Sequence, residues 1–549
     1  MKKIFYFLPI LCLITSNIGC FNNSKKQEKI DPETKIIFEN CNRDNLTTNE
    51  NSSKEAQETS YNLSIKLNYE HIEPRDYDTE EEKRIEYQRL KNYYSSNNNR
   101  IVKNMDFSAF DDVYVSTYSP YVSIDTSYES IANENYSNLL SIASYADVEQ
   151  ITVNQSNMMS PHLTTTEHAL GATDYINETG FTGEGITIGI LEIGIPNKNH
   201  ANLVNADITI RDVWNAIETK ATHTTVMASI LVGPDGFVPE AKLVCAQLFG
   251  DPAAEIDWML DRDALMINCS FGDSNPNGVY SSISAYFDFI AYTYHTLFVC
   301  AAGNGEDDDY YICNPGLAYN VLTMGACQYL CTTTNWGEIM CSSSIVVTGP
   351  RKPDMVAPGI AIHISPFGIF AGTSVSTAIT TGCIALLMQK EARYRMDPLL
   401  AISTLAVTGI DKLTRDFGSG YDNEGGAGVI NIGTALNVER YVYKHLEGDT
   451  ECMTSAYFTE GTTARISAFW VNKNTTGTVN GLVKSHYVLT LETRTGEIIA
   501  QTEYNDDNKA FIELVVPTTG KYRIQVTKKN ATDPEASSLY VAYWASNFI

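Results

Sequence analysis

The sequence predicts an α/β fold, a mainly parallel sheet with helices on both faces, preceded by an α+β domain and followed by a β-sandwich. Three observations lead there. Between residues 160 and 442, apolar β-rich runs such as GITIGILEIGI, AKLVCAQLF, ALMINCSFG and TLFVCAAGN alternate with helical segments, and near-continuous apolar strands mark a sheet covered on both sides. Residues 59–155 mix strand and helix periods, and residues 450–549 show only short alternating strands separated by turns.

The elements follow in chain order. Lys2 and Lys3 precede an apolar run, Ile4 to Ile14, that is too short to cross a bilayer and leads to Gly19-Cys20 and a polar stretch. Residues 1–20 therefore read as an export signal, and 21–58, rich in Asn, Ser, Lys and Glu, as a flexible tether. YNLSIKLNYE alternates as a strand, EEEKRIEYQRLKNYY has a helical period, DVYVSTYSPYVSIDT gives two strands around Pro120, NYSNLLSIASYADV is an amphipathic helix, and EQITVNQ is a closing strand. That β-α-β-β-α-β order is ferredoxin-like. At the other end RISAFWV, HYVLTLET, EIIAQTEY, AFIELVVP, KYRIQV and SLYVAYWA, with turns at Arg494-Thr-Gly and Thr518-Thr-Gly, form the sandwich.

Composition narrows the function. The 549 residues carry 39 Lys plus Arg against 66 Asp plus Glu, a net charge of −27, which excludes nucleic acid as a partner because phosphate neutralisation needs clustered cations. Of the twelve cysteines, Cys245, Cys269, Cys300 and Cys383 sit in apolar runs as small buried hydrophobes. Cys313, Cys327, Cys331 and Cys341 fall in turn-rich sequence, where export permits disulfides but three pairings stay open.

The chemistry concentrates in two segments. AGTSVSTAITTGCIALLMQK, from Ala371, sets Ser374 at the mouth of an apolar helix, where first-turn N–H groups stabilise developing negative charge. A serine hydroxyl needs a neighbouring base, and HTTVMASILVG offers His223 at another helix start. The acidic run at 306–309 supplies oxygen ligands of the kind calcium takes. Consecutive acids on a loop are more often a solvated face, so no metal site is assigned and no cofactor is called for.

Taken in order, these segments resemble the catalytic core of subtilisin-like serine proteases. HTTVMAS resembles that family's His block, with Thr224 in place of Gly; FVPEAKL, INCSFG, FVCAAGNG, KPDMVAPG leading into GTSVS, and GAGVINIGTAL resemble the blocks that follow. The resemblance implies Ser374 as nucleophile, His223 as base, Asn304 as oxyanion donor, and Ser270, Phe271, Gly272, Ala302 and Gly303 as substrate-lining residues. Where the family has Asp, this chain has Glu192, whose extra methylene displaces the carboxylate by about 1.5 Å unless the backbone retreats. Ala378 replaces the family's usual Pro.

Further expectations rest on the same resemblance. Residues 59–155 are similar to the family's inhibitory propeptide, 450–549 to the PPC-type domain of exported proteases, with an unrelated sandwich as the alternative. The amino terminus resembles a bacterial lipoprotein signal with Cys20 lipidated, an ordinary cleaved signal being the alternative. The reading is an exported, lipid-anchored endopeptidase of the bacterial cell surface that acts on proteins or peptides, with its own propeptide as partner. Self-cleavage is expected between Val153 and Thr166, followed by retention of the propeptide or release of a soluble enzyme. The rival, motivated by Glu192, is a catalytically impaired surface protein that keeps the fold as a binding scaffold.

Overall fold

The computed structural model describes Lys29 and, with internal interruptions, residues 60–161 and 179–546. Cys20, the tether apart from Lys29 and the acidic run at 306–309 lie outside the described residues, as do 162–178, 212–221, 330–335, 340–348, 411–420 and 444–450.

The amino-terminal unit comprises β1 (Ser60–Leu67), α1 (Glu80–Val102), β2 (Asp112–Val115), β3 (Tyr121–Ser127), α2 (Tyr136–Ala143) and β4 (Val148–Gln155). The sheet is antiparallel in the order β2-β3-β1-β4, as a ferredoxin-like domain requires, and buries Leu63, Ile65, Val122 and Ile124 against Leu139 and Ile142 of α2. A reciprocal capping box starts α1: the Thr79 hydroxyl accepts the Glu82 N–H at 3.2 Å and Glu82 Oε2 accepts the Thr79 N–H at 3.0 Å. The helical period in the sequence fades after Tyr94, yet α1 continues to Val102 through Ser-Ser-Asn-Asn-Asn. Tertiary contacts override the poor local propensity there: the buried Asn98 amide donates to the carbonyls of Ser116 and Ser119, each at 2.7 Å.

The central sheet is built from β6 (Thr187–Glu192), β7 (Ile208–Ile210), β8 (Lys242–Gln247), β9 (Met266–Cys269), β11 (Leu297–Ala301), β12 (Leu322–Tyr329) and β14 (Met355–Ile360), all parallel, plus the antiparallel β13 (Trp336–Ile339) on β12. Two short strands, β5 (Met159–Pro161) and β10 (Phe271–Asp273), pair with each other beside it. Alternate residues of each strand enter different cores: Ile188 and Ile190 of β6 join Leu243 and Val299 on one face, and Leu191 joins Val244 and Phe298 on the other. Both faces are covered, which is why these strands read as unbroken apolar runs. The first face packs on α3 (Thr222–Val232) and α6 (Thr373–Lys390), the second on α4 (Ala253–Leu260) and α5 (Ser282–Tyr294). A hairpin, β15 (Ile362–Ile364) with β16 (Gly368–Phe370), leads into α6, and α7 (Ala392–Met396) and α8 (Leu400–Thr408) follow it.

The carboxyl-terminal unit stacks two four-stranded antiparallel sheets. One holds β17 (Glu439–Tyr443), β19 (Thr463–Trp470), β24 (Lys509–Val515) and β26 (Leu539–Ser546); the other holds β18 (Glu451–Phe458), β22 (Tyr487–Thr493), β23 (Ile498–Glu503) and β25 (Gly520–Lys528). Between the sheets lie Trp470, Leu489, Ile524 and Val541. A small hairpin, β20 (Lys473–Asn474) with β21 (Leu482–Val483), projects from it. The sandwich thus begins at Glu439, a strand that the sequence division at 442 splits.

One expectation about the cysteines changes. Cys327 is a thiol buried in β12 rather than in a turn, and the Cys313 thiol is directed to the Asp273 carbonyl at 3.8 Å. The strand fixes the Cys327 side chain in the parallel-sheet core. Cys331 and Cys341 lie outside the described residues.

Candidate active site

The site forms at the carboxyl ends of the parallel strands, where an open α/β sheet exposes the loops that leave it. β6 ends on Glu192, β9 runs into Ser270, β11 into Ala302-Gly303-Asn304, and α3 and α6 begin at His223 and Ser374, each the second residue of its helix. The helices α3 and α6 pack on one another, so the residues named from sequence come from five separate stretches of chain to one locality.

Glu192 is wholly buried, and its Oε2 lies 3.4 Å from His223 Nδ1. That separation exceeds the roughly 2.7–2.9 Å of a short charge-assisted hydrogen bond. Burial pushes the Glu192 carboxyl above its usual range, while the imidazole of His223 and the N–H groups of Ile193 and Ser270 pull it back. Thr224, which stands where the resemblance expects Gly, donates from its hydroxyl to the Gly194 carbonyl at 3.1 Å, and Thr225 Oγ1 accepts the Asn197 N–H at 2.9 Å. These two bonds tie the start of α3 to the loop that follows Glu192 and so fix imidazole and carboxylate relative to each other.

Ser374 is also buried. Its hydroxyl donates to the Ser270 carbonyl at 3.1 Å, and Ser270 Oγ donates to the Ser374 carbonyl at 3.0 Å. Asn268 Nδ2 supports Ser270 Oγ at 2.9 Å, and the Thr381 hydroxyl on α6 holds Asn268 Oδ1 at 3.1 Å. Ser270 is thereby the hinge of the site, its N–H toward Glu192 and its carbonyl on Ser374. Helix α6 runs unbroken through Ala378, which keeps the N–H that a proline lacks.

Asn304 is aimed by Thr373, a residue that the sequence reading passed over. Asn304 Oδ1 accepts the Thr373 N–H at 2.7 Å and lies 2.9 Å from its hydroxyl, and the Gly303 N–H donates to that hydroxyl at 3.1 Å. Gly303 has φ of 116°, a conformation that side chains other than glycine rarely adopt. With the amide oxygen engaged, the buried Asn304 Nδ2 has no hydrogen-bond partner among the described residues, a donor left open beside Ser374. The signal available in sequence was the Thr in GTS, which heads the helix next to the nucleophile candidate.

The lining residues divide by role. Phe271 and Gly272 belong to β10, and the Phe271 side chain is buried in the core, so it offers a substrate only its backbone. Ala302 is buried with Ile312 and Leu317. Asp273, a second residue missed from sequence, accepts the N–H and the side-chain amide of Asn314 at 3.0 and 3.1 Å and so braces β10 against the next turn. Among the described residues no cluster of three or more His, Cys, Asp or Glu is arranged to hold a metal ion, and no helix is long and apolar enough to cross a membrane.

β5 pairs antiparallel with β10, Met159 opposite Asp273, Ser160 opposite Gly272 and Pro161 opposite Phe271. A segment of the chain's own therefore occupies this strand edge.

Comparison with known proteins agrees with the architecture. Serine protease AprX of Bacillus subtilis (strain 168) is 30% identical over 155 residues, 24% of this chain and 34% of AprX, so the match spans about a third of that relative's length. Among solved structures, the prenylagaramide maturation protease PagA aligns with a TM-score of 0.39 at 22% identity, over 49% of this chain and 98% of its own. Fervidolysin from Fervidobacterium pennivorans, described as a keratinolytic enzyme related to subtilisin, aligns with a TM-score of 0.47 at 14% identity, over 87% and 77% of the two chains. The Subtilase family, peptidase S8, matches residues 124–428, more than half of the 549 residues, and with the seven-stranded parallel sheet flanked by helices this establishes that the chain belongs to the subtilase family.

Proposed function

We propose that the chain is an exported, lipid-anchored serine endopeptidase that cleaves proteins or peptides through an acyl-enzyme. The observation that carries this reading is the Asn304 amide, held by Thr373 with its Nδ2 unpartnered among the described residues, beside Ser374, because a buried, aimed and unused donor suits an oxyanion that exists only during reaction. Ser374 Oγ attacks the substrate carbonyl carbon while its proton passes to His223. Glu192 stabilises the resulting imidazolium, and Asn304 Nδ2 with the Ser374 N–H receives the oxyanion. His223 then gives the proton to the leaving amine, and water, activated by His223, releases the acid and restores Ser374. Cys20 would carry the lipid.

The N-terminal unit serves as propeptide. β5 runs along β10 toward Ser270, whose carbonyl holds the Ser374 hydroxyl, and is paired opposite Phe271 at Pro161. The expected self-cleavage lies in the stretch from Val153 to Thr166, which contains β5. The test is N-terminal sequencing of purified protein together with labelling by an organophosphonate serine probe. Wild type is expected to yield a fragment beginning within 154–166 and to label once the N-terminal fragment has left; Ser374→Ala is expected to do neither. Folded, propeptide-free protein that fails to label would favour the scaffold reading.

Docking of the propeptide carries a pH dependence. Asp257 on α4 is buried under the N-terminal unit: its Oδ2 accepts the Tyr114 hydroxyl at 2.7 Å, the Ser116 hydroxyl at 2.7 Å and the Thr117 N–H at 2.8 Å, while Oδ1 is buried without a partner. Burial raises its pKa from 3.8 to about 6 against these hydrogen bonds. The neighbouring acids are already paired, Glu255 with Arg211 and Asp261 with Lys91. Separation exposes Asp257 and returns it toward its ordinary value, so at this group the docked state binds the proton more tightly as pH falls below about 6. His71 opposes it: packed on Phe289 and Tyr292 of α5 and held down to about 4 by burial, it takes a proton more readily once the unit has left, which weakens docking over the same range. Between pH 7 and pH 5 the Asp257 contribution is about tenfold, so Asp257→Asn is expected to make affinity for the cleaved propeptide fall on acidification by about that factor more than in wild type. An identical change in release rate between the two pH values for wild type and Asp257→Asn would contradict it.

A further inference from the structure

The C-terminal sandwich reaches across the enzyme to the N-terminal unit. The β20–β21 hairpin carries residues 475–481, shaped by Asn474, which is buried. Asn474 Nδ2 donates to the Ala285 carbonyl on α5 at 3.1 Å and to Thr478 O at 3.2 Å, and its Oδ1 accepts the N–H groups of Thr476 at 3.2 Å and Gly477 at 2.8 Å. The tip so formed meets β3: Tyr121 Oη lies 2.9 Å from Gly477 O and 3.2 Å from Thr476 O, and the Tyr121 ring packs edge-on against Tyr286 of α5 at 5.5 Å. Gly477 has φ of +66°, and a Cβ there would stand 2.9 Å from Tyr121 Oη and 3.0 Å from Cε2. No side chain fits between the tip and the tyrosine. Lys473 adds a long ion pair to Glu73, at 3.9 Å.

The sandwich that presents this tip is fixed to the core. Buried Arg465 on β19 donates to the carbonyls of Gly409 and Ala427, the latter at 2.8 Å, and pairs with Glu513 at 2.7 Å. Lys509 on β24 meets Asp354 at 2.9 Å, and Asp354 also takes Lys352 at 2.7 Å. Asn508 Nδ2 reaches Tyr319 O at 2.9 Å. With so many buried ties to the core the tip is preorganised, and little ordering remains when the N-terminal unit seats against it.

We infer that residues 475–481 of the C-terminal sandwich are a docking site for the chain's own N-terminal domain, one that retains that domain on the enzyme after the connecting peptide is cut. The inference rests on the proposed self-processing. It gives the C-terminal domain a role in regulation: cleavage alone does not free the active site, and the protease stays with the lipid-bearing fragment until the tip lets go.

The test measures release of the N-terminal fragment from cleaved, purified full-length protein by size exclusion at successive times after dilution. Tyr121→Phe removes the hydroxyl without changing shape, and Gly477→Ala places a Cβ against Tyr121; each is expected to speed release about tenfold, because the buried Gly477 carbonyl loses its donor or the contact is pushed apart. Peptide hydrolysis by the released core is expected to be unchanged. Release at the wild-type rate from Tyr121→Phe, a variant that folds as the parent does, overturns the inference. Ser374→Ala protein nicked within 156–166 by an added protease gives the same readout without self-processing. Fast release there on introducing Tyr121→Phe supports the docking site even if the peptidase reading fails, and unchanged release overturns it.

Discussion

Glu192→Gln is expected to lower kcat/KM for a peptide substrate roughly 10⁴-fold, and Glu192→Asp to stay within about tenfold of wild type. Glu192 is wholly buried at the end of β6 and its Oε2 faces His223 Nδ1 at 3.4 Å. Gln fills the same space but carries no charge to oppose an imidazolium in a site from which water is excluded. It also brings an N–H₂ that, turned toward Nδ1, selects the wrong tautomer. Asp keeps charge and acceptor, and the ties from Thr224 to Gly194 and from Asn197 to Thr225 hold the imidazole while the carboxylate shifts by about 1.5 Å. Steady-state hydrolysis by the purified variants decides it. Gln as active as wild type would remove Glu192 from the proposed triad, and a wild type that neither hydrolyses peptide nor labels favours the scaffold.

Asn304→Asp and Asn304→Leu are both expected to lower kcat by on the order of 10²–10³-fold with little change in KM. The Asn304 oxygen already binds Thr373 at 2.7 Å; Asp preserves that acceptor but removes the Nδ2 donor and adds a negative charge beside the oxyanion, whereas Leu removes donor and acceptor without adding charge. A donor used only as charge develops on the substrate oxygen strengthens binding of the transition state and not of the ground state. An Asp variant with wild-type kcat would show that Asn304 does not meet the oxyanion.

Much of the architecture was legible in the chain because its signals are periodic. The strand containing Ile188, Ile190 and Leu191 feeds two cores, and that two-sided burial writes itself as an unbroken apolar run. The alternation in β22 sets Tyr487, Leu489 and Leu491 between the two sheets, whereas β19 is buried on both faces, with Ile466 and Trp470 inside the sandwich and Phe469 against the core of the central sheet. The run through Ser95 to Asn99 was not legible as helix, since its stability comes from the Asn98 amide on Ser116 and Ser119, partners that no local window contains. Cys327 looked like a turn residue for the same reason, its burial in β12 being decided by neighbouring strands.

By itself the sequence determined the fold class, the order of its parts and the residue types that suit acyl transfer, because hydrophobic period and the blocks around His223, Ser374 and Asn304 are local patterns. The tertiary structure alone decided how those residues meet. The 3.4 Å approach of Glu192 to His223, the aiming of Asn304 by Thr373, the β5–β10 register and the seating of Tyr121 on Gly477 join residues between 31 and 356 positions apart. Such contacts depend on how sheets and helices pack once each has formed, and packing couples every element to its neighbours, so no stretch of chain carries it alone.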